Sequence, residues 1–241
     1  MKLKKLFFVV AFLSIGAWGP FSFIQAIAPV TAPLNSSNWL EQEVNAIHAQ
    51  ADNLDTHVLR LSLTAYQHAR EKGYDNRQLL TIVDYSKPST ERRLWVIDLK
   101  TNKVLFNTWV AHGKNSGELN STSFSNSARS LKSSLGVFVT EDTYDGHNGY
   151  SLRVQGLEQG INDNAHNREI VFHGADYANV EAVKGLGRLG RSWGCFAVSR
   201  KVSGALINTI KHDTVVVAYY PDKNWLKHSP YLVPTTHHLY A

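Results

Sequence analysis

The chain has 241 residues, room for one well-cored domain with appendages and short for two. Its 43% hydrophobic, 19% charged and 11% aromatic content excludes a disordered or collagen-like chain. The formal charge of +5 owes much to Lys2, Lys4 and Lys5; without them 22 basic residues face 20 acidic ones, and no Lys/Arg stripe suited to tracking phosphates remains, which argues against a nucleic-acid partner.

In chain order, residues 1–28 read as an export signal, with the three lysines ahead of an apolar run at 6–15 and small residues near Ala26 and Ala28 for cleavage. The alternative is an uncleaved inner-membrane anchor over 6–28, if the break at Pro20 is tolerated. Either way the expected location is the periplasm or cell envelope. Residues 29–76 form a helical segment: Ser36 or Ser37 caps a helix running to about Lys72, with Leu40, Val44, Ile47, Leu54, Leu59, Leu61 and Ala65 at helical intervals and Gly73 as its stop. A helical hairpin broken near Asp52 and Asn53 fits equally.

After Asn76 the pattern turns to short β-type runs at 79–85, 93–98, 103–111, 135–140, 150–154, 169–172 and 214–220, with a hairpin turn at 98–103. Residues 113–134 are rich in Ser, Asn and Gly and too long for a turn, which suggests a mobile lid or a binding edge. A helix is expected over 201–211. The expected fold class is mainly β (α+β), with the helical segment packed on a β-rich catalytic domain over 77–241.

Cys195 is the only cysteine, so an internal disulfide is excluded; in an exported protein such a thiol is either buried and inert or chemically employed. Its neighbours favour employment. The run from Gly185 to Val198 (GLGRLGRSWGCFAV) brings glycine-permitted turns close to a substrate, and Arg188 and Arg191 supply positive charge that favours a thiolate and can pair with a substrate carboxylate. Upstream, His173-Gly174 ends an apolar run, and a histidine within reach can take the thiol proton to leave a thiolate–imidazolium pair. The amides of Gly194 and Cys195 are candidates for holding an oxyanion.

Other residues carry weaker signals. His112 sits at a strand end before the long loop and either lines the cleft or makes a structural hydrogen bond; Asp176 and Tyr177 follow the histidine closely and could border the site. The stretch 185–190 matches G-x-G-x-x-G, but 178–184 does not read as a buried strand, so a dinucleotide site is rejected. His237-His238 lacks a carboxylate or cysteine at ligand spacing, and neither metal nor cofactor is expected.

His173-Gly174 followed by Ser192-Trp193-Gly194-Cys195 resembles the signature of the murein L,D-transpeptidase catalytic domain family, a divergent YkuD-like branch. Supporting stretches are 82–91 (IVDYSKPSTE), 93–99 (RLWVIDL), 111–117 (AHGKNSG) and 172–177 (FHGADY). Here 18 residues separate His173 from Ser192, slightly more than the usual gap; Trp193 stands where the signature has histidine, and Ala197 where it has Asn or Arg.

The resemblance implies a β-rich fold and a ping-pong reaction on peptidoglycan peptide stems. Cys195 is then the nucleophile on the L,D-bond of a tetrapeptide and His173 base and acid, with Ser192 fixing the loop, Arg191 a substrate ligand and Trp193 beside the substrate. Acyl transfer goes to an amine or, in carboxypeptidation, to water. A catalytically weakened wall-binding module, or a cysteine amidase or peptidase of other wall specificity, are the alternatives that the Trp193 and Ala197 departures keep open.

Overall fold

A computed structural model describes residues 36–232 of the chain. The segment 1–28 and His237-His238 lie outside them, and among the described residues no helix is long and apolar enough to cross a membrane.

The N-terminal helical run is two helices, α1 (Ser37–His48) and α2 (Thr56–Glu71), so the hairpin reading holds over the single long helix. The reason is local. Asp55 takes the N-cap of α2, its carboxylate accepting from the amides of His57 and Val58, and an N-cap residue cannot continue a helix through itself. Gly73, at φ 84°, ends α2 in the left-handed conformation.

The strands are β1 (Leu79–Asp84), β2 (Leu94–Asp98), β3 (Lys103–Thr108), β4 (Gly136–Gly146), β5 (Gly149–Gly156), β6 (Val171–Ala175), β7 (Phe196–Ser199) and β8 (Val215–Tyr219). Three helices complete the described elements: α3 (Val180–Leu186), α4 (Arg200–Ile210) and α5 (Lys223–His228). The expected mainly β, α+β architecture is the one observed. The sequence reading lacked β7, α3 and α5.

The strands form one sheet in the order β3-β2-β1-β8-β4-β5-β6-β7, with β1–β8 and β6–β7 parallel and the remaining pairs antiparallel. The β2–β3 turn is fastened by Asp98, whose carboxylate accepts from the amides of Lys100 and Thr101. Alternation splits the sheet's apolar side chains between two cores. Leu80, Ile82, Val215 and Val217 face α1 and α2, where Leu59, Leu63 and Tyr66 of α2 and Leu54 of the connecting loop are fully buried. Phe138, Phe172, Phe196, Val198 and Val216 fill the other core with Leu206, Ile207 and Ile210 of α4. At about 1.5–3 kcal/mol per large side chain removed from water, each core is a major part of the fold's stability.

The sheet curls until its two edges meet. Beyond β3 the chain reaches Ala111, whose amide donates to the Ala197 carbonyl of β7 at 2.8 Å, and Ala111, Ala175, Ala178, Leu189 and Ala197 pack there as a small third cluster. Small side chains let the two edges approach closely.

One buried acid braces the sheet from below. Glu158 accepts from the Val137 amide at 2.5 Å, from the Trp225 indole at 3.2 Å and from the Ser229 hydroxyl, tying α5 to β4, and its burial raises its pKa. Glu158→Ala leaves those three donors buried and unpaired, so urea unfolding is expected to show a loss of about 3 kcal/mol or more. A loss under about 1 kcal/mol contradicts the bracing role.

Candidate active site

The β6–β7 register positions the site. Phe172 pairs with Phe196 and their rings stack at 4.6 Å in the core. Neighbouring residues in a strand point to opposite faces, so Cys195 and His173 share the other face. His173 pairs with Ala197, and one step back along the ladder Cys195 lies beside Val171. His173 thus stands diagonally next to Cys195, within a strand that continues to Ala175 rather than ending at the histidine.

His173 is buried, and its Nδ1 lies 3.1 Å from the Gly174 carbonyl. A carbonyl only accepts, so the proton sits on Nδ1 and the Nε2 lone pair is left available, the tautomer a general base requires. Burial, and to a lesser degree the Arg200 charge, hold its pKa below the ordinary value. The Cys195 thiol is half-buried and donates to the Glu169 carbonyl at 3.5 Å. Burial pushes its pKa up, the Val171 backbone and Arg168 pull it down, and Glu169 opposes them. Both shifts favour the neutral forms. They oppose the standing thiolate–imidazolium pair expected from the sequence.

The loop before Cys195 is tied at several points. The Ser192 hydroxyl donates to the Cys195 carbonyl at 2.8 Å and accepts the Gly194 amide at 3.1 Å. That bond commits the Gly194 amide, which leaves the Cys195 amide as the oxyanion candidate of the two. Gly194 has φ 121°, and a Cβ there would meet the Lys132 carbonyl at 2.7 Å, so no side chain fits beside the thiol. The Ser192 amide donates to the His112 carbonyl, and its own carbonyl accepts from Lys114, stitching the loop to the far edge of the sheet. Trp193 is 76% exposed on the lip.

His112 is a structural residue. Its Nδ1 accepts from Arg93 at 2.8 Å, its Nε2 donates to Gly117 at 3.1 Å, and burial chiefly, then the Arg93 charge, push its pKa down to about 4. Both nitrogens are engaged, so it lends no proton chemistry to the cleft.

Arg188 and Arg191 both pair with Glu118, at 3.1 and 2.6 Å, and Arg191 also donates to the Lys114 and Gly117 carbonyls. Both guanidiniums thus share one carboxylate of the 113–134 loop. Asp176 is exposed and paired with Arg200 at 2.9 Å, an ion pair of the kind worth little in water. Tyr177 is half-buried against Gly190, and burial chiefly raises its pKa to about 12. The G-x-G-x-x-G stretch begins inside α3 and follows no strand.

Arg168 is the cation that stands near Cys195, and the sequence reading missed it. Its guanidinium donates to the carbonyls of Ser125 at 2.6 Å and Lys132 at 2.7 Å, and to the hydroxyls of Ser134 at 2.5 Å and Ser130 at 3.1 Å. Neutral acceptors satisfy its hydrogens without cancelling its charge. The same bonds fasten the 125–134 part of the long polar loop beside Gly194. Nothing local marks it: it lies 27 residues before the thiol, in a polar turn that reads as surface.

A curled β-sheet domain with a cysteine and a histidine on one strand pair, fed by a glycine-rich loop, defines a class of thiol-bearing catalytic domains. The chain belongs to the L,D-transpeptidase catalytic domain family, which it matches over residues 50–219. Among solved structures it is similar to an L,D-transpeptidase from Mycobacterium smegmatis (13% identity, covering 59% of each chain, TM-score 0.35). It is also similar to one from Stackebrandtia nassauensis (12% identity, 77% of this chain and 80% of that one, TM-score 0.35) and one from Xylanimonas cellulosilytica (15%, 64% and 68%, TM-score 0.34). The alignment spans less than two thirds of the M. smegmatis chain, and no curated protein matches.

Arg168→Gln removes the charge while keeping an amide donor. Alkylation of Cys195 by iodoacetamide at pH 7 is expected to slow about three- to tenfold, since one pKa unit is a factor of ten in thiolate. An unchanged rate with an unchanged melting temperature limits Arg168 to holding the loop.

Proposed function

We propose that the chain is a peptidoglycan L,D-transpeptidase that carries the acyl group of a tetrapeptide stem on Cys195. The observation that carries this reading is the shared face of Cys195 and His173, with the imidazole fixed in the tautomer that leaves Nε2 free. Family membership supplies the reaction class.

In this reading His173 Nε2 takes the thiol proton as Sγ attacks the carbonyl carbon of the L,D-peptide bond. The carbonyl oxygen becomes an oxyanion that the Cys195 amide can hold. Collapse breaks the C–N bond, His173 returns its proton to the departing amine, and a thioester remains. An acceptor amine, or water, then gives its proton to His173 as it attacks the thioester, and the thiolate leaves and is reprotonated. Transfer to an amine forms a cross-link; transfer to water is carboxypeptidation. The same acyl-enzyme precedes both. Exposed Trp193 beside the thiol offers a face for the stem or the sugar it hangs from. An exported or envelope location follows from such a substrate.

Mass spectrometry after incubation with a carbapenem tests the nucleophile. A single covalent adduct is expected on the native protein and none on Cys195→Ala. Absence of both an adduct and any change in muropeptides favours a wall-binding module instead.

The pH profile tests the neutral pair. Only the neutral imidazole can accept the thiol proton, and its pKa lies below the ordinary 6.5. Acylation is therefore expected to be flat from about pH 6.5 to 8 and to fall only at lower pH. A resting ion pair predicts the opposite assignment, with thiolate persisting into acid and neutral-pH alkylation at its plateau. An acid limb at or above pH 7 overturns the proposed pairing.

A further inference from the structure

The Cys195 thiol stands among backbone groups of the segment that leads into β6. The ladder places it beside Val171, with Glu169 two residues before and His173 two residues after. The S–H donates to the Glu169 carbonyl at 3.5 Å, so its proton points back along that segment, while the imidazole lies forward. The Val171 backbone addresses the same sulfur and favours the thiolate. These two groups have opposite preferences. A carbonyl only accepts, so it attracts S–H and repels S⁻, and a backbone N–H does the reverse.

A helix-end turn fixes the direction of the Glu169 carbonyl. The Ile170 amide donates to the Ala165 carbonyl at 3.1 Å and the Glu169 amide to the His166 carbonyl at 2.9 Å. These are the paired bonds of a Schellman turn, and Ile170 and Ala165 are both buried in the core beneath it. The Ile170 N–H and the Glu169 carbonyl belong to one peptide plane, so the bond to Ala165 also aims the carbonyl. Glu169 holds the left-handed position of the turn, at φ 56°, where glycine is the usual residue and a side chain is strained. Its side chain is exposed, so the backbone carries the contact with the thiol.

We propose that the Glu169 carbonyl parks the nucleophile: it holds the Cys195 S–H turned away from His173, and the thiol must rotate before its proton can reach Nε2. Glu169 is thus a positioning residue that acts through its backbone. The inference rests on the reading of Cys195 and His173 as nucleophile and base, and adds the step before proton transfer. The rotation breaks only the S–H···O contact. The S–H proton then passes to Nε2, and the thiolate left behind is repelled by the carbonyl and received by the Val171 N–H.

Cys195 is the only cysteine, so the protein has a single S–H stretching band in the infrared. At pH 7 that band is expected at the lowered frequency of a hydrogen-bonded thiol, and at the same place in His173→Ala, because the acceptor is the carbonyl. Glu169→Gly and Glu169→Val both remove the carboxylate, but glycine accepts the left-handed turn and valine does not. The band is expected to stay in Glu169→Gly and to move in Glu169→Val. Alkylation of Cys195 by iodoacetamide at pH 7 is expected to run about threefold or more faster in the valine variant than in the glycine one, a gain that adding His173→Ala abolishes. A band that moves in His173→Ala alone, a missing band at pH 7, or equal bands and rates in the two Glu169 variants overturns the proposal. The His173→Ala spectrum leaves the turn untouched and decides the matter if Glu169→Val does not fold. Carbapenem labelling of the native protein reports separately on the acyl-carrier reading, so failure of one is distinguishable from failure of the other.

Discussion

The site depends on the register between β6 and β7. Stacked Phe172 and Phe196 lock that register from the core side, and Phe138 meets Phe196 edge-on at 5.6 Å. Because strand side chains alternate, a slip of one residue would turn Cys195 into the core and expose Phe196. The aromatic core thus acts on the chemistry without touching it. Closure of the curled sheet adds the second constraint, since the bond from Ala111 to Ala197 brings the segment 111–113 against Ser192 and fixes where the glycine-rich loop must run.

Electrostatics at this seam follow from how charges are distributed among partners. Arg93 is fully buried but bonded to the Val110 and Lys87 carbonyls and to His112, so its cost of burial is offset by neutral acceptors. Arg188 and Arg191 share the single negative charge of Glu118. Arg168 carries a charge that its neutral acceptors leave uncancelled and that pulls the Cys195 pKa down, and burial of the thiol outweighs it. A thiol whose neutral form is favoured is less prone to oxidation than a standing thiolate.

Much of this was legible in the sequence because it is written in local signals. Apolar runs marked seven of the eight described strands, the Asp98 turn and the Gly73 stop followed from turn and cap chemistry, and Cys195 stood out as a lone thiol in a glycine-rich loop. What escaped has a physical cause in each case. β7 is four residues long and follows glycines directly, so its apolar run was absorbed into the loop. Whether an arginine is free or spent depends on a partner far away in sequence: Glu118 is 70 or more positions from Arg188 and Arg191, and Arg168 draws its acceptors from a loop 34 to 43 positions earlier.

The two departures from the family signature find different physical accounts in this framework. Ala197 is fully buried, pairs with His173 and receives the Ala111 amide, among alanines that allow the sheet edges to touch. A long polar residue there would have to displace that contact, so the sheet's own closure favours a small side chain. Trp193 faces solvent, and its identity is nearly free of the fold. Its Ser192 and Gly194 neighbours carry the hydrogen bonds and the positive φ that shape the loop, leaving the exposed position free of the fold's demands. One departure is therefore tied to packing and the other lies on the exposed surface, and neither removes the thiol, the imidazole or the carbonyl that orients it.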